Sequence, residues 1–158
     1  MSIKETIANE TLSKQLTWIA AADSKVPPVF AISTAMLGVI VALISALELW
    51  TIGKAISCAL TTIPLVGSIV SLALATFPRL KGPKGSLIYF GGIVTKSADA
   101  YVQEMLNATN ENLEKDVLLQ AHRNAEIAQE KYNCVKWAMV QVFVSFPFWL
   151  LSIFLLYK

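Results

Sequence analysis

Between Glu111 and Tyr157 a water-compatible helical pattern runs straight into a membrane-compatible one. In the first half, Leu113, Val117, Ala121, Ala125, Ala128, Tyr132 and Val135 recur at three- and four-residue spacings, which places them on one helical face. Neither Gly nor Pro interrupts the pattern before Pro147. Trp137 to Tyr157 carries no formal charge, over the roughly 20 residues that a helix needs to cross a bilayer. At ~1.5 Å per residue, one continuous helix would be roughly 70 Å long, about half of it outside the hydrocarbon. Pro147 frees a carbonyl inside the span and predicts a bend there.

The rest of the chain is just as uneven. Of 158 residues, 55% are hydrophobic and only 15% charged, and the mean hydropathy of +0.57 is too high for an ordinary soluble domain. The expected class is an all-α polytopic membrane protein with three transmembrane helices plus a cytosolic helical module. A net charge of +2 without a dense basic run argues against polymeric nucleic acid as a partner. Two cysteines, one in an apolar span and one beside another, offer no disulfide framework.

Residues 1–26 read as a cytosolic amphipathic helix, with Ile3, Ile7, Leu12, Leu16 and Ile19 on one side and Lys4, Glu5, Glu10 and Lys14 largely on the other. Pro27 and Pro28 suit the first turn of a following helix, because the N–H groups they lack would be unpaired there anyway. The first span is expected at 29–47 and the second at 55–77, joined closely enough to form an antiparallel hairpin. Small residues form a stripe on each: Ala31, Ala35, Gly38, Ala42 and Ser45, then Ser57, Thr61, Pro64, Ser68, Ser71 and Ala75. Such stripes suit close helix packing, and Thr61, Ser68 and Ser71 would also suit a polar pore lining. Residues 78–136 read as a cytosolic helical sensor region and 137–157 as the third span. Within the former, Gly and Pro hold 78–85 out of helix, SLIYFGGI is ambiguous between strand and interfacial segment, and Ser97 suits an N-cap for a short helix to about Leu106.

Orientation follows from the basic residues. Lys54 and Lys158 fall on one side of the three spans, and the other 11 of the 13 Lys and Arg on the opposite side. By the positive-inside rule the N-terminus and the central region are cytosolic and the C-terminus lies outside, periplasmic or extracellular.

No catalytic motif is present: there is no Walker loop, dinucleotide turn or HExxH, and His122 has no Cys or His at metal-ligand spacing. No enzyme, metal or cofactor is expected. Polar residues do gather beside the apolar stripe of the long helix. They are either a solvated face or a ligand surface in which Arg123 and Lys131 pair a phosphate, Gln120 and Asn124 read an amide-like base edge, and Tyr89, Phe90, Tyr101 or Tyr132 stacks on it. Asp23 and Lys25, at the membrane end of the first helix, are either an interfacial anchor or a charge-pair switch.

Trp18-Ile19, Ala22-Asp23-Ser24-Lys25, Phe77-Pro78-Arg79, Leu87-Ile88-Tyr89-Phe90-Gly91, Tyr101, and then Leu113, Asp116, Leu118, Gln120, His122, Asn124-Ala125, Ile127-Ala128 and Lys131-Tyr132 together resemble the transmembrane effectors of prokaryotic cyclic-pyrimidine anti-phage systems, the PycTM type of Pycsar effector. The chain departs from that pattern at Pro27-Pro28. The resemblance implies a receptor for a cyclic pyrimidine mononucleotide, cCMP or cUMP, made by a partner pyrimidine cyclase. Ligand binding would impair the inner (cytoplasmic) membrane and abort infection. Three thin spans enclose little by themselves, so a homo-oligomer in the lipid bilayer is expected. The competing readings are a structural membrane subunit without a small-molecule ligand and a nucleotide-independent small channel or toxin.

Overall fold

The computed structural model describes residues 3–157, which are mostly helical and include no strand. Six helices follow in order: α1 (Ile3–Asp23), α2 (Val26–Ser45), α3 (Ile52–Thr76), the single turn α4 (Phe90–Ile93), α5 (Ala98–Asn107) and α6 (Asn110–Tyr157). The chain divides into two compact units. One holds the chain through Ala21 together with Pro78–Glu130, and the other holds Ala22–Phe77 together with the chain from Lys131 onward.

Local chemistry explains the boundaries. Pro27 and Pro28 occupy the first turn of α2, directly after the break behind Asp23. Thr51 caps α3 by accepting from the Lys54 N–H, so the helix begins three residues before the apolar run proper. Ser97 accepts from the Ala100 N–H and caps α5, as its sequence context predicts. Thr109 accepts from the Asn112 N–H at the head of α6. The SLIYFGGI segment is neither a strand nor a continuous helix: it is a turn closed by the Ser86 hydroxyl, which accepts from the Ile88 and Tyr89 N–H groups, followed by α4. Helix α6 runs unbroken through Pro147.

In the spanning unit, α2 and α3 form the expected antiparallel hairpin, with Ser33 against Ser68 at one end and Ile40 against Cys58 towards the other. The last part of α6 packs antiparallel to α3 and parallel to α2. Thr61 meets Ser152 at 3.0 Å, and the Trp149 indole N–H donates to the Met36 carbonyl at 3.0 Å. The interior is lined by hydroxyl groups: Ser33, Thr61, Ser68, Ser145 and Ser152 are completely buried. Large side chains such as Phe30, Ile63, Val70, Phe143 and Phe154 point outward. Large apolar groups outside and small polar ones inside is the arrangement that lipid favours, since helices in hydrocarbon gain from close backbone approach and interhelical hydrogen bonds. Three helical stretches, Ile3–Ser45 (α1 with α2), α3 and α6, are each long and apolar enough to cross a membrane.

Two sequence expectations are corrected. In α2 the stripe Ala31, Ala35, Gly38, Ala42 and Ser45 is exposed, and the inward face is Ser33, Met36 and Ile40 instead. The neighbours in α3 are themselves small, so α2 meets them with medium-sized side chains and leaves its smallest on the outer surface. In α1, Ile3, Ile7 and Leu16 are exposed, whereas Ala8 is buried and Leu12, Gln15 and Ile19 are half-buried. The packed stripe of α1 is thus narrower and more polar than the apolar count suggests, because Ala8 permits close approach.

Opposite responses are expected on the two faces of α2. Ser33→Leu overfills a completely buried position and should destabilise the detergent-solubilised protein by about 1–3 kcal/mol, whereas Ala35→Leu on the outer face should leave its melting temperature unchanged. Equal destabilisation by both would contradict the assigned faces.

Candidate functional site

The basic loop after α3 is laced onto the first part of α6 by side chains spaced seven residues apart. Asp116 accepts from the Leu87 N–H at 2.7 Å and from the Ser86 hydroxyl at 3.0 Å. Arg123 Nε donates to the Lys81 carbonyl at 2.7 Å. Glu130 accepts from Arg79 Nε at 2.6 Å. A spacing of seven is two helical turns, so Asp116, Arg123 and Glu130 share one face and meet the loop in reverse chain order. Tyr101 adds a hydroxyl donated to the Leu87 carbonyl at 3.2 Å.

Tyr89 fixes the shape of the loop from within. Its hydroxyl donates to the Leu80 carbonyl, and its ring lies tilted against Phe90 with centroids 4.7 Å apart. Gly82 and Gly91 flank the ring so closely that a Cβ on either would overlap it. Gly85 has φ +73°, in the left-handed region where glycine is favoured.

Lacing the loop in this way leaves a half-open cavity of about 350 Å³ against α6 and α1, a size within the ~300–1,000 Å³ usual for small-molecule sites. Its lining combines three kinds of chemistry. Arg79, Lys81 and Arg123 supply cations, Gln120 and Asn124 supply amides, and Tyr89 and Phe90 supply aromatic surface, above apolar Leu16, Ile88 and Ile127. The Gln120 carbonyl oxygen is buried and has no hydrogen-bond donor among the described residues. Buried polar atoms are normally satisfied, so a ligand N–H is a natural partner for it. Asn124 is buried as well. Arg123 also donates to Glu126 at 2.8 Å, and this bond holds the Glu126 carboxyl below its ordinary range.

Four of the six side chains that the sequence nominates for ligand binding, Tyr89, Gln120, Arg123 and Asn124, therefore line one cavity. The structure does not bring Lys131 and Tyr132 to it. They belong to the spanning unit, where Lys131 Nζ lies 2.5 Å from Asp23 Oδ1 and Lys25 Nζ lies 5.0 Å from the Tyr132 ring centroid. Asp23 and Lys25 are thus partners of precisely these two residues in kind: an ion pair in which Lys131 is only 12% exposed, beside a cation–π contact. Arg79 and Lys81 are cavity residues that sequence reasoning assigned only to a basic loop. The heptad Asp116–Arg123–Glu130 was the signal that could have placed them. No cluster able to hold a metal ion occurs among the described residues, and His122 is exposed beside Glu126.

The family model described as the Pycsar effector protein domain matches residues 7–158, nearly the whole chain. The chain belongs to the Pycsar effector family. No curated protein and no solved structure matches it. As a Pycsar effector it is a transmembrane effector of anti-phage defence, from a family activated by a cyclic nucleotide. In this Pycsar effector the cavity is where cationic, amide and aromatic side chains coincide.

Removing the acceptor that anchors the loop should be costly. Asp116→Ala leaves the Leu87 N–H and the buried Ser86 hydroxyl unpaired and should destabilise the protein by about 1–3 kcal/mol. Amide hydrogen exchange should show loss of protection across 86–89; unchanged protection there would refute the lacing.

Proposed function

We propose that this Pycsar effector is a receptor for a 3',5'-cyclic pyrimidine mononucleotide, cCMP or cUMP, supplied by a partner pyrimidine cyclase. The observation that carries this reading is the convergence of Arg79, Lys81, Arg123, Gln120, Asn124, Tyr89 and Phe90 on one cavity in a chain of this family. A cyclic phosphodiester carries one negative charge, which an arginine pairs with charge-assisted hydrogen bonds. A pyrimidine offers a flat face for Tyr89 or Phe90 and an edge of donors and acceptors for the Gln120 and Asn124 amides.

The response proposed is impairment of the inner membrane, leading to abortive infection. Residues 1–26 and 78–136 face the cytosol in this reading and the C-terminus faces the periplasm or exterior, in keeping with the distribution of Lys and Arg. Helix α6 supplies Gln120, Arg123 and Asn124 to the cavity and Ser145, Trp149 and Ser152 to the spanning unit. A ligand that favours one packing of the cytosolic helices thereby shifts the population of states available to a span of the same helix. The working form is a homo-oligomer, a reading supported by the outward stripe Ala31, Ala35, Gly38, Ala42 and Ser45, where a Cβ on Gly38 would meet nothing within 4 Å. Small residues on a lipid-facing helix surface suit close approach by another helix.

Calorimetric titration of the purified protein in detergent with a panel of cyclic mononucleotides tests the reading. Saturable binding of cCMP or cUMP is expected, weakened at least tenfold by Arg123→Ala, a loss of about 1.4 kcal/mol or more. Absence of binding by every cyclic pyrimidine would refute it.

A further inference from the structure

Both arginines that line the cavity are already engaged by carboxylates of α6. Arg79 is paired with Glu130 at 2.6 Å and Arg123 with Glu126 at 2.8 Å. The partners are buried very unequally. The arginine side chains are 15% and 25% exposed, whereas Glu130 and Glu126 are 56% and 48% exposed. Each arginine is largely buried in the cavity wall, Arg123 being bonded to the Lys81 carbonyl as well, while each carboxylate sits one helical turn from the other at the water-facing edge. A carboxylate leaving its arginine returns to solvent with little desolvation to overcome, and the arginine keeps its place.

Position in the chain gives the Arg79–Glu130 pair a further role. The segment Pro78–Glu130 is the part of this unit that lies between the second and third spans. Arg79 is its second residue and Glu130 its last, so the ion pair clasps the two ends of the segment together.

We propose that Glu126 and Glu130 occupy the arginines in place of the ligand's phosphate, and that ligand binding is a partner exchange in which the phosphate takes Arg79 and Arg123 and opens the clasp between residues 79 and 130. The proposal rests on the cavity being the nucleotide site and adds how occupancy is registered: the charge released at Glu130 stands at the point where α6 passes into the other unit. Arg79 thereby becomes a ligand-pairing residue, and Glu130, which ties the loop in the absence of ligand, a competitor for it.

The two members of the clasp should therefore act in opposite directions. In calorimetric titrations of the full-length protein in detergent with cCMP and cUMP, Glu130→Gln should bind roughly threefold more tightly than wild type, and Glu126→Gln with Glu130→Gln about tenfold more tightly, because exposed ion pairs of modest strength no longer compete. Arg79→Gln should bind at least tenfold more weakly. Both glutamates are exposed, so the Gln variants should keep the wild-type melting temperature. If wild type binds and the Gln variants bind equally or more weakly, the exchange is overturned while the cavity remains the nucleotide site. If wild type binds neither nucleotide, both readings fail, and the wild-type titration alone tells the two failures apart.

Discussion

Helix α6 carries one continuous seam through two environments. Ala121, Ala128, Val135 and Leu156 are buried in one register of a seven-residue repeat, with the half-buried Val142 and Trp149 between them. Asn124, Ala138, Ser145 and Ser152 are buried in the companion register, with half-buried Lys131 between. Two positions in seven is the spacing that keeps one side of a helix against its neighbours over many turns. What changes along the seam is chemistry. Asn124 and Lys131 use an amide and an ion pair, whereas Ser145 and Ser152 use hydroxyl groups compatible with hydrocarbon. The face beside that seam carries Asp116, Arg123 and Glu130, and through them the loop, the cavity and the clasp all depend on α6 keeping its register.

The spanning unit shows why patterns of small residues are an incomplete guide. In α3 the stripe of Ser57, Thr61, Ser68 and Ala75 faces inward and makes hydroxyl pairs with α2 and α6. An equally clear stripe in α2 faces outward. Either face of a lipid-embedded helix is free of hydrophobic penalty, so the sequence marks both as suitable for close approach without saying which neighbour uses which. Thr61 and Ser68 are engaged in interhelical hydrogen bonds within one chain, which is the packing role rather than a lining role.

The element types, the three long apolar helices, the Ser97 cap and the hairpin were legible because length, charge and capping chemistry are local properties of the chain. The candidate site was legible only in part, for the opposite reason. Gln120, Arg123 and Asn124 stand on one helix, and helical spacing brings them together without tertiary knowledge. Arg79 and Lys81 reach the same cavity from an irregular loop whose path is set by Asp116, by the glycine-flanked Tyr89 ring and by Gly85, none of which has a periodic signature. Lys131 and Tyr132 continue the polar edge of α6 in sequence, yet they lie where the helix has passed into the spanning unit and meet Asp23 and Lys25 instead. Helical spacing alone cannot show where along its length a helix exchanges one set of neighbours for another.

The central claim is that nucleotide in the cavity alters the membrane-spanning part of the same chain. Release of an encapsulated dye from vesicles reconstituted with the purified protein tests it most directly. Dye should escape from wild-type vesicles on addition of cCMP or cUMP and be retained without nucleotide. Equal release in the absence of nucleotide, or retention despite saturating binding of either, would contradict the account.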